Sequence, residues 1–329
     1  MTIGSILIFG TLGINIHLKF MSSKKVLVLG ANGMLGKMVS LQLKTNEDIN
    51  VYVTSRNRNK FIEKNFNDRH IIYQVDSSYK NKLINLLRES DDKFDYIVNC
   101  IGVIKPKIDE TDKNSVQNTI LINSYLPNEI QKIASQEDIQ FLQIGTDCVF
   151  SGNKGNYLET SFMDAEDLYG KTKIIGEIES TNKFLIRSSI IGPESGKGFS
   201  LMNWFLKNTN PEVSGYSDHL WNGVTTLNFS KVIEGIIVNN KKYSKISQHL
   251  VPKNTISKAN LLEELKVNFD KDIIINQTKS EQEVNRTLLT NNESFNQQLW
   301  QLAGYKNVPT IEENINELYN SELTNVIMN

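Results

Sequence analysis

Lys24-Lys25-Val26-Leu27-Val28-Leu29-Gly30-Ala31-Asn32-Gly33-Met34-Leu35-Gly36 decides the fold. An apolar run enters Gly-x-x-Gly-x-x-Gly directly, and Met38, Val39, Leu41 and Leu43 follow at helical spacing. Strand, tight turn and helix in that order open a nucleotide-binding βαβ unit. The glycines let the backbone approach a pyrophosphate, which then rests on the helix N-terminus. On this reading Gly30, Asn32, Gly33, Met34, Leu35 and Gly36 form the phosphate-facing turn. Glycine is also a general turn residue, so an ordinary strand-to-helix turn is the competing reading. The flanking strand and helix favour the first.

Outward from that turn, strand and helix patterns alternate. Residues 51–54 and 71–75 read as the second and third strands, and a helix around 80–88 precedes a fourth strand at 96–100. A helix over 119–135 leads to a fifth strand at 141–144, and a helix over 168–180 to a sixth at 184–187. Repeated βα order with near-continuous apolar strands predicts an α/β protein built on a doubly wound, parallel Rossmann sheet.

The composition narrows the partners. A net charge of −1 with 22% charged residues over 329 positions advertises no basic face, which argues against nucleic acid. The two cysteines, Cys100 and Cys148, are too few for a disulfide framework or a zinc site, and no metal is expected. Both lie in apolar runs, and a reducing cytoplasm is the expected compartment. Residues 1–20 are odd: an apolar run from Ile3 to Leu18 is interrupted by Asn15 and His17. It is shorter than the roughly 20 residues of a spanning helix. With Met21 standing just before Ser22-Ser23-Lys24, residues 1–20 read as a non-native or disordered leader. A weak membrane-associating leader is the alternative, but no membrane partner is expected.

Two later segments carry chemistry. Tyr169 and Lys173 are four apart on the predicted helix and share a face. An ammonium beside a phenol favours the phenolate, so the tyrosine pKa of roughly 10 is expected to move toward the working pH. That suits a proton donor or acceptor for a carbonyl or alcohol. Thr146, in Ile144-Gly145-Thr146-Asp147, would supply a hydroxyl for the substrate oxygen. The second strand runs into Ser55-Arg56-Asn57-Arg58 with no acid for ribose hydroxyls. Arg56 therefore leans the cofactor toward NADPH, with NADH still admissible. Asp76 suits an adenine amino group or, equally, a helix cap.

With these residues in place, the chain resembles an extended short-chain dehydrogenase/reductase of the dTDP-4-dehydrorhamnose reductase branch. The match runs from Gly30-x-x-Gly33-x-x-Gly36 through Asp76, Asn99 to Gly102 and Leu121-Ile122-Asn123-Ser124. It continues with Thr146-Asp147-Cys148-Val149-Phe150-Ser151-Gly152, Glu159, Tyr169-Gly170-Lys171-Thr172-Lys173-x-x-Gly176-Glu177, Arg187 and Arg286. The resemblance implies that Tyr169 protonates a C4 oxygen, Lys173 holds the nicotinamide ribose and Thr146 binds the reacting oxygen. It places Asn99, Cys100, Ile101, Gly102 and Asn123 along the cofactor, with Asn123 kinking its helix. Asp147, Cys148, Trp221 and Arg286 would meet the substrate, Arg286 at its diphosphate. Trp221 reads equally as a core anchor, and Arg286 equally as solvated surface.

The resemblance also implies two units. Residues 21–192 and 225–267 would bind the dinucleotide, and 193–224 with 268–329 would form a smaller, discontinuous α/β unit for a nucleotide sugar. Within the latter, 198–206 reads as a helix, and 213–216 with 219–223 as loops near the substrate. The expected activity is NAD(P)H-dependent reduction of the C4 keto group of a nucleotide-linked 4-keto-6-deoxy sugar for surface polysaccharide synthesis, in a monomer or a homodimer. The alternatives are a nucleotide-sugar 4-epimerase and a non-catalytic NADP-binding regulatory subunit like that of methionine adenosyltransferase. One departure matters: dehydratases of this class carry an acid two places after the threonine, and here Cys148 stands there. A neutral thiol cannot act as that acid, which disfavours elimination.

Overall fold

The computed structural model describes residues 23–57, 59–67, 71–73, 87, 93–196 and 198–329. The leader at 1–20, Arg58, Asp76, the end of the third predicted strand and the 80–88 helix apart from Leu87 lie outside the described residues.

Seven strands form the central sheet: β1 (Lys24–Leu29), β2 (Ile49–Ser55), β3 (Ile71–Tyr73), β4 (Tyr96–Asn99), β5 (Gln140–Gly145), β6 (Lys183–Arg187) and, beyond four short strands outside it, β11 (Ile246–His249). Their spatial order is β11-β6-β5-β4-β1-β2-β3, and every pairing is parallel. The order reverses at β1, which lies between β2 and β4. In such sheets the crevice at that reversal is where ligands bind.

Each central strand is apolar on both faces because both faces are covered. Val26 and Val28 of β1 enter one cluster with Tyr96, Val98, Leu142 and Ile144. The intervening Leu27 and Leu29 enter another with Ile97 and Phe141 on the opposite face. The period-2 alternation thus feeds two layers. Fully burying a side chain of this size contributes roughly 1.5–3 kcal/mol relative to exposure. The helix Met34–Lys44 covers the first face beside the helix Thr226–Val238.

A second, smaller cluster joins Met202 and Phe205 of the helix Leu201–Lys207 to Val213, Trp221, Ile275 and Ile315. Here the structure differs from the sequence reading. Residues 213–216, read as a loop, lie in β8 (Glu212–Tyr216), which pairs in parallel with β13 (Ile274–Thr278). The partner strand lies some sixty residues away, so β8 has no local turn to announce it. The helix Lys258–Asn268, assigned from sequence to the first unit, buries Leu261, Leu262 and Leu265 in this second cluster. Leu299 and Trp300, assigned to the second unit, are buried instead in the first. Among the described residues no helix is long and apolar enough to cross a membrane.

Candidate active site

A cavity of about 530 Å³ opens at the C-terminal ends of β1, β4 and β5. That is the range of small-molecule sites. One end is the glycine turn. Gly30 holds φ at +79°, and its N–H donates to Thr54 Oγ1 at 3.0 Å. Gly33 N–H closes the turn on the Gly30 carbonyl at 3.0 Å. A Cβ on Gly36 would stand 2.2 Å from that same carbonyl oxygen, so only glycine lets the helix pack this close to β1. No side chain caps the N-terminus of the helix Met34–Lys44, and Gly33, Met34 and Leu35 line the cavity. Helix N–H groups left without a cap suit a pyrophosphate. Asn32 donates to Ser55 Oγ, leaving its buried Oδ1 without a partner among the described residues. These features fit a dinucleotide.

The other side of the cavity carries the polar trio. Thr146 follows β5 directly and caps a short 3₁₀ turn, its Oγ1 accepting from Cys148 N–H at 3.2 Å. Tyr169 lies in the first turn of the helix Leu168–Gly176, whose N-cap Asp167 accepts from Gly170 N–H at 2.7 Å. Lys173, one turn on, donates from Nζ to the Ile144 carbonyl at 3.3 Å. Thr146, Tyr169 and Lys173 all line the cavity.

The electrostatics reverse one expectation. Burial pushes the Tyr169 phenol above its ordinary value, and a hydrogen bond from Thr146 offsets this only in part. Burial likewise lowers the Lys173 ammonium, against the attraction of Glu177. Burial outweighs the charge pair at both groups. Burial of both groups at the same cavity wall disfavours phenolate and ammonium alike. Tyr169 is therefore a protonated phenol at neutral pH.

The support is built from buried polar groups. Residues Leu121–Tyr125 form a π-helical turn, the kink expected at Asn123. Asn123 Oδ1 accepts from Val103 N–H at 2.8 Å, while Nδ2 donates to the Val103 carbonyl at 3.0 Å and to Thr172 Oγ1 at 3.2 Å. Ser124 donates to the Thr172 carbonyl at 2.8 Å. A Cβ on Gly176 would lie 2.1 Å from the Asn123 carbonyl oxygen, which accounts for the glycine after Lys173. Asn99 donates to Gln143 Oε1 at 2.9 Å and accepts from Ile101 N–H at 3.1 Å, shaping the strand end that carries Cys100 and Gly102. Below this, Arg187 pairs with Glu177 at 2.5 Å and donates to His249 Nε2 at 2.7 Å. His249 Nδ1–H then donates to the Leu289 carbonyl at 2.7 Å. Burial and Arg187 push the imidazole down to about 4, so it is neutral.

Residues assigned to the substrate fall at the far end. Burial pushes the Cys148 thiol up to about 12. Cys100 is likewise pushed up to about 12 by burial. Neither is a thiolate at neutral pH. Asp147 and Cys148 line the cavity, as does Trp221, whose Nε1 donates to Ser189 Oγ at 2.8 Å. Trp221 is only 5% exposed and lies in a short strand, Leu220–Trp221, paired with Ile256–Ser257 where the sequence reads as a loop. Arg286 Nε donates to the Phe150 carbonyl at 2.9 Å, and Arg286 is not among the residues that line the cavity. Glu159 ties the site's back wall together, accepting from His249 N–H and Asn291 N–H, each at 2.8 Å. Arg56 is exposed on the turn after β2, outside the cavity lining.

Lys258 lines the cavity and went unnoticed in the sequence. The available signal was weak: Ser257 caps the helix that Lys258 begins. Helix-start lysines are common, and nothing local ties this one to Thr146.

Residues 24–323 match the family model described as the RmlD substrate binding domain. Methionine adenosyltransferase 2 subunit beta from Xenopus laevis is 26% identical over 156 residues, 47% of this chain and 42% of that protein. The probable low-salt glycan biosynthesis reductase Agl14 of Haloferax volcanii is 28% identical over 151 residues, 46% of each. The matched stretch is thus less than half the length of either curated relative. Among solved structures, dTDP-4-dehydrorhamnose reductase from Bacillus anthracis in complex with NADP aligns over 90% of this chain and 99% of its own. The TM-score is 0.68 at 16% identity, a likeness of fold.

Proposed function

For a chain that belongs to the RmlD substrate binding domain family, we propose the reduction of a keto group on a nucleotide-linked sugar, with a nicotinamide cofactor on the glycine turn. One observation carries this reading. Thr146, Tyr169 and Lys173 converge on the cavity that the uncapped helix Met34–Lys44 also enters.

The bound nicotinamide would supply hydride. Everything else falls to side chains. The Thr146 hydroxyl would hold the carbonyl oxygen, and the Tyr169 phenol would give it a proton as negative charge develops there. A phenol held protonated by burial suits that direction of transfer. Lys173, braced by the Ile144 carbonyl, would orient the cofactor ribose and stabilise the charge left on Tyr169. The finer reading is reduction at C4 of a 4-keto-6-deoxy sugar on dTDP or UDP, with NADPH preferred, within surface polysaccharide synthesis.

The test is NADPH oxidation with a panel of dTDP- and UDP-linked 4-keto-6-deoxy sugars generated in situ by a dehydratase. Consumption with one member would identify nucleoside and sugar together. The similarity to methionine adenosyltransferase 2 subunit beta supports a second reading, a nicotinamide-binding subunit without turnover. NADPH binding with no consumption across the panel, together with co-purification of a synthetase, would favour it. Protein purified with NAD tightly bound would favour an epimerase.

A further inference from the structure

Tyr169, Lys173 and Glu177 recur every four residues along the helix Leu168–Gly176 and its C-cap, so all three share one face. Tyr169 and Lys173 line the cavity, whereas Glu177 does not, and its side chain is only 2% exposed. A carboxylate so deep needs its charge met. Arg187 meets part of it. Its Nη2 donates to Glu177 Oε2, its Nη1 goes to His249, and its Nε has no partner among the described residues. The contact is thus single-pronged, not the two-pronged fork open to an arginine and a carboxylate. Glu177 Oε1 stays buried with no hydrogen-bond partner among the described residues.

That free oxygen lies against the end of β5. A Cβ on Gly145 would stand 3.1 Å from it and 3.1 Å from Arg187 Cβ, so glycine leaves the carboxylate its room there. Lys173 Nζ reaches the same strand end, donating to the Ile144 carbonyl at 3.3 Å. Ammonium and free carboxylate oxygen therefore approach consecutive residues of one strand without bonding to each other. The other groups around Lys173 supply no negative charge at neutral pH. Cys100 after β4 and Cys148 in the 3₁₀ turn are thiols, each pushed up to about 12 by burial. Tyr169 is held as a phenol. From β6, Arg187 is a cation, and Lys183, donating to the Gly176 and Ile178 carbonyls at 3.2 and 2.8 Å, repels Lys173. Burial of Lys173 is opposed first by Glu177.

We propose that Glu177 is a positioning residue, its free oxygen supplying the counter-charge for the Lys173 ammonium at the end of β5. This rests on the reductase reading, in which an ammonium stabilises the charge left on Tyr169. Glu177 stands outside the cavity lining and acts only through Lys173.

The test follows Lys173 directly, by NMR titration of the full chain carrying lysine labelled with carbon-13 at Cε. The Lys173 resonance is assigned by its absence from Lys173→Met. Glu177→Gln is expected to move the Lys173 titration down by about one pH unit or more. Since that variant strands Arg187, Glu177→Gln/Arg187→Met is measured beside it, removing both partners so that no charge of the pair is left alone. The titration should fall there too, with near-ultraviolet circular dichroism reporting the fold. A Lys173 titration unchanged in either folded variant overturns the assignment. With a keto sugar that the protein turns over, the alkaline fall of kcat should move to lower pH by the same amount. A lower kcat whose pH profile stays fixed marks a merely structural carboxylate and also overturns it. Because the NMR titration reads no turnover, a shifted Lys173 in a protein that reduces no keto sugar would uphold the charge pairing while the reductase reading fell.

Discussion

The carboxamide of Asn123 holds both backbone polar groups of Val103, accepting from its N–H at 2.8 Å and donating to its carbonyl at 3.0 Å. This side chain does for the loop after β4 what a neighbouring strand would do in a sheet. It also reaches Thr172 on the helix that carries Tyr169 and Lys173. The walls on either side of the proposed nicotinamide site are therefore tied through one residue.

Asn123→Ala should orphan both Val103 groups. Both bonds are part-buried, so water can take over some of the loss, and about 1–3 kcal/mol is expected in denaturant unfolding. Turnover should fall as well, because the loop lines the cofactor side of the cavity. A variant as stable as wild type would mean that water replaces the carboxamide.

Gly36→Ala places a methyl 2.2 Å from the Gly30 carbonyl oxygen. The helix must move off β1, which is expected to cost about 1–3 kcal/mol and to displace its N–H groups from the cavity. NADPH affinity should drop more steeply than stability. Fluorescence titration of NADPH beside thermal unfolding would read the two separately.

Tyr169→Phe keeps the ring and removes the hydroxyl. Loss of a positioned proton donor typically costs about 10²- to 10⁴-fold in rate, and kcat should fall by that much while NADPH binding persists. Unchanged kcat would remove the phenol from the mechanism.

Arg187→Met leaves Glu177 charged and buried, with the ion pair at 2.5 Å broken. Breaking one side of such a pair costs roughly 3–5 kcal/mol. Adding Glu177→Gln should return much of that loss, since the stranded charge is then gone. Urea unfolding of the single and double variants would measure this coupling.

Much of the half that carries the glycine turn and Tyr169 was legible because its signals are local. The glycine spacing, the apolar strands and the Tyr169–Lys173 interval each lie within a few residues, and backbone geometry alone turns them into a turn, a sheet and a shared helix face. Even the π-helical kink has its residue, Asn123, in plain view. The far end was not legible. β8 finds its partner at β13, and Trp221 meets Lys258 only because Ile256 pairs with it.

The amino-acid sequence alone therefore determined the parallel α/β sheet and the helix that carries Tyr169 and Lys173, since both follow from short-range periodicity. The tertiary structure alone decided that Lys258 meets Trp221 at the cavity wall, and that Tyr169 is held as a phenol rather than pushed toward phenolate. Those outcomes depend on enclosure: desolvation of a side chain is set by everything packed around it, and no stretch of sequence carries that information by itself.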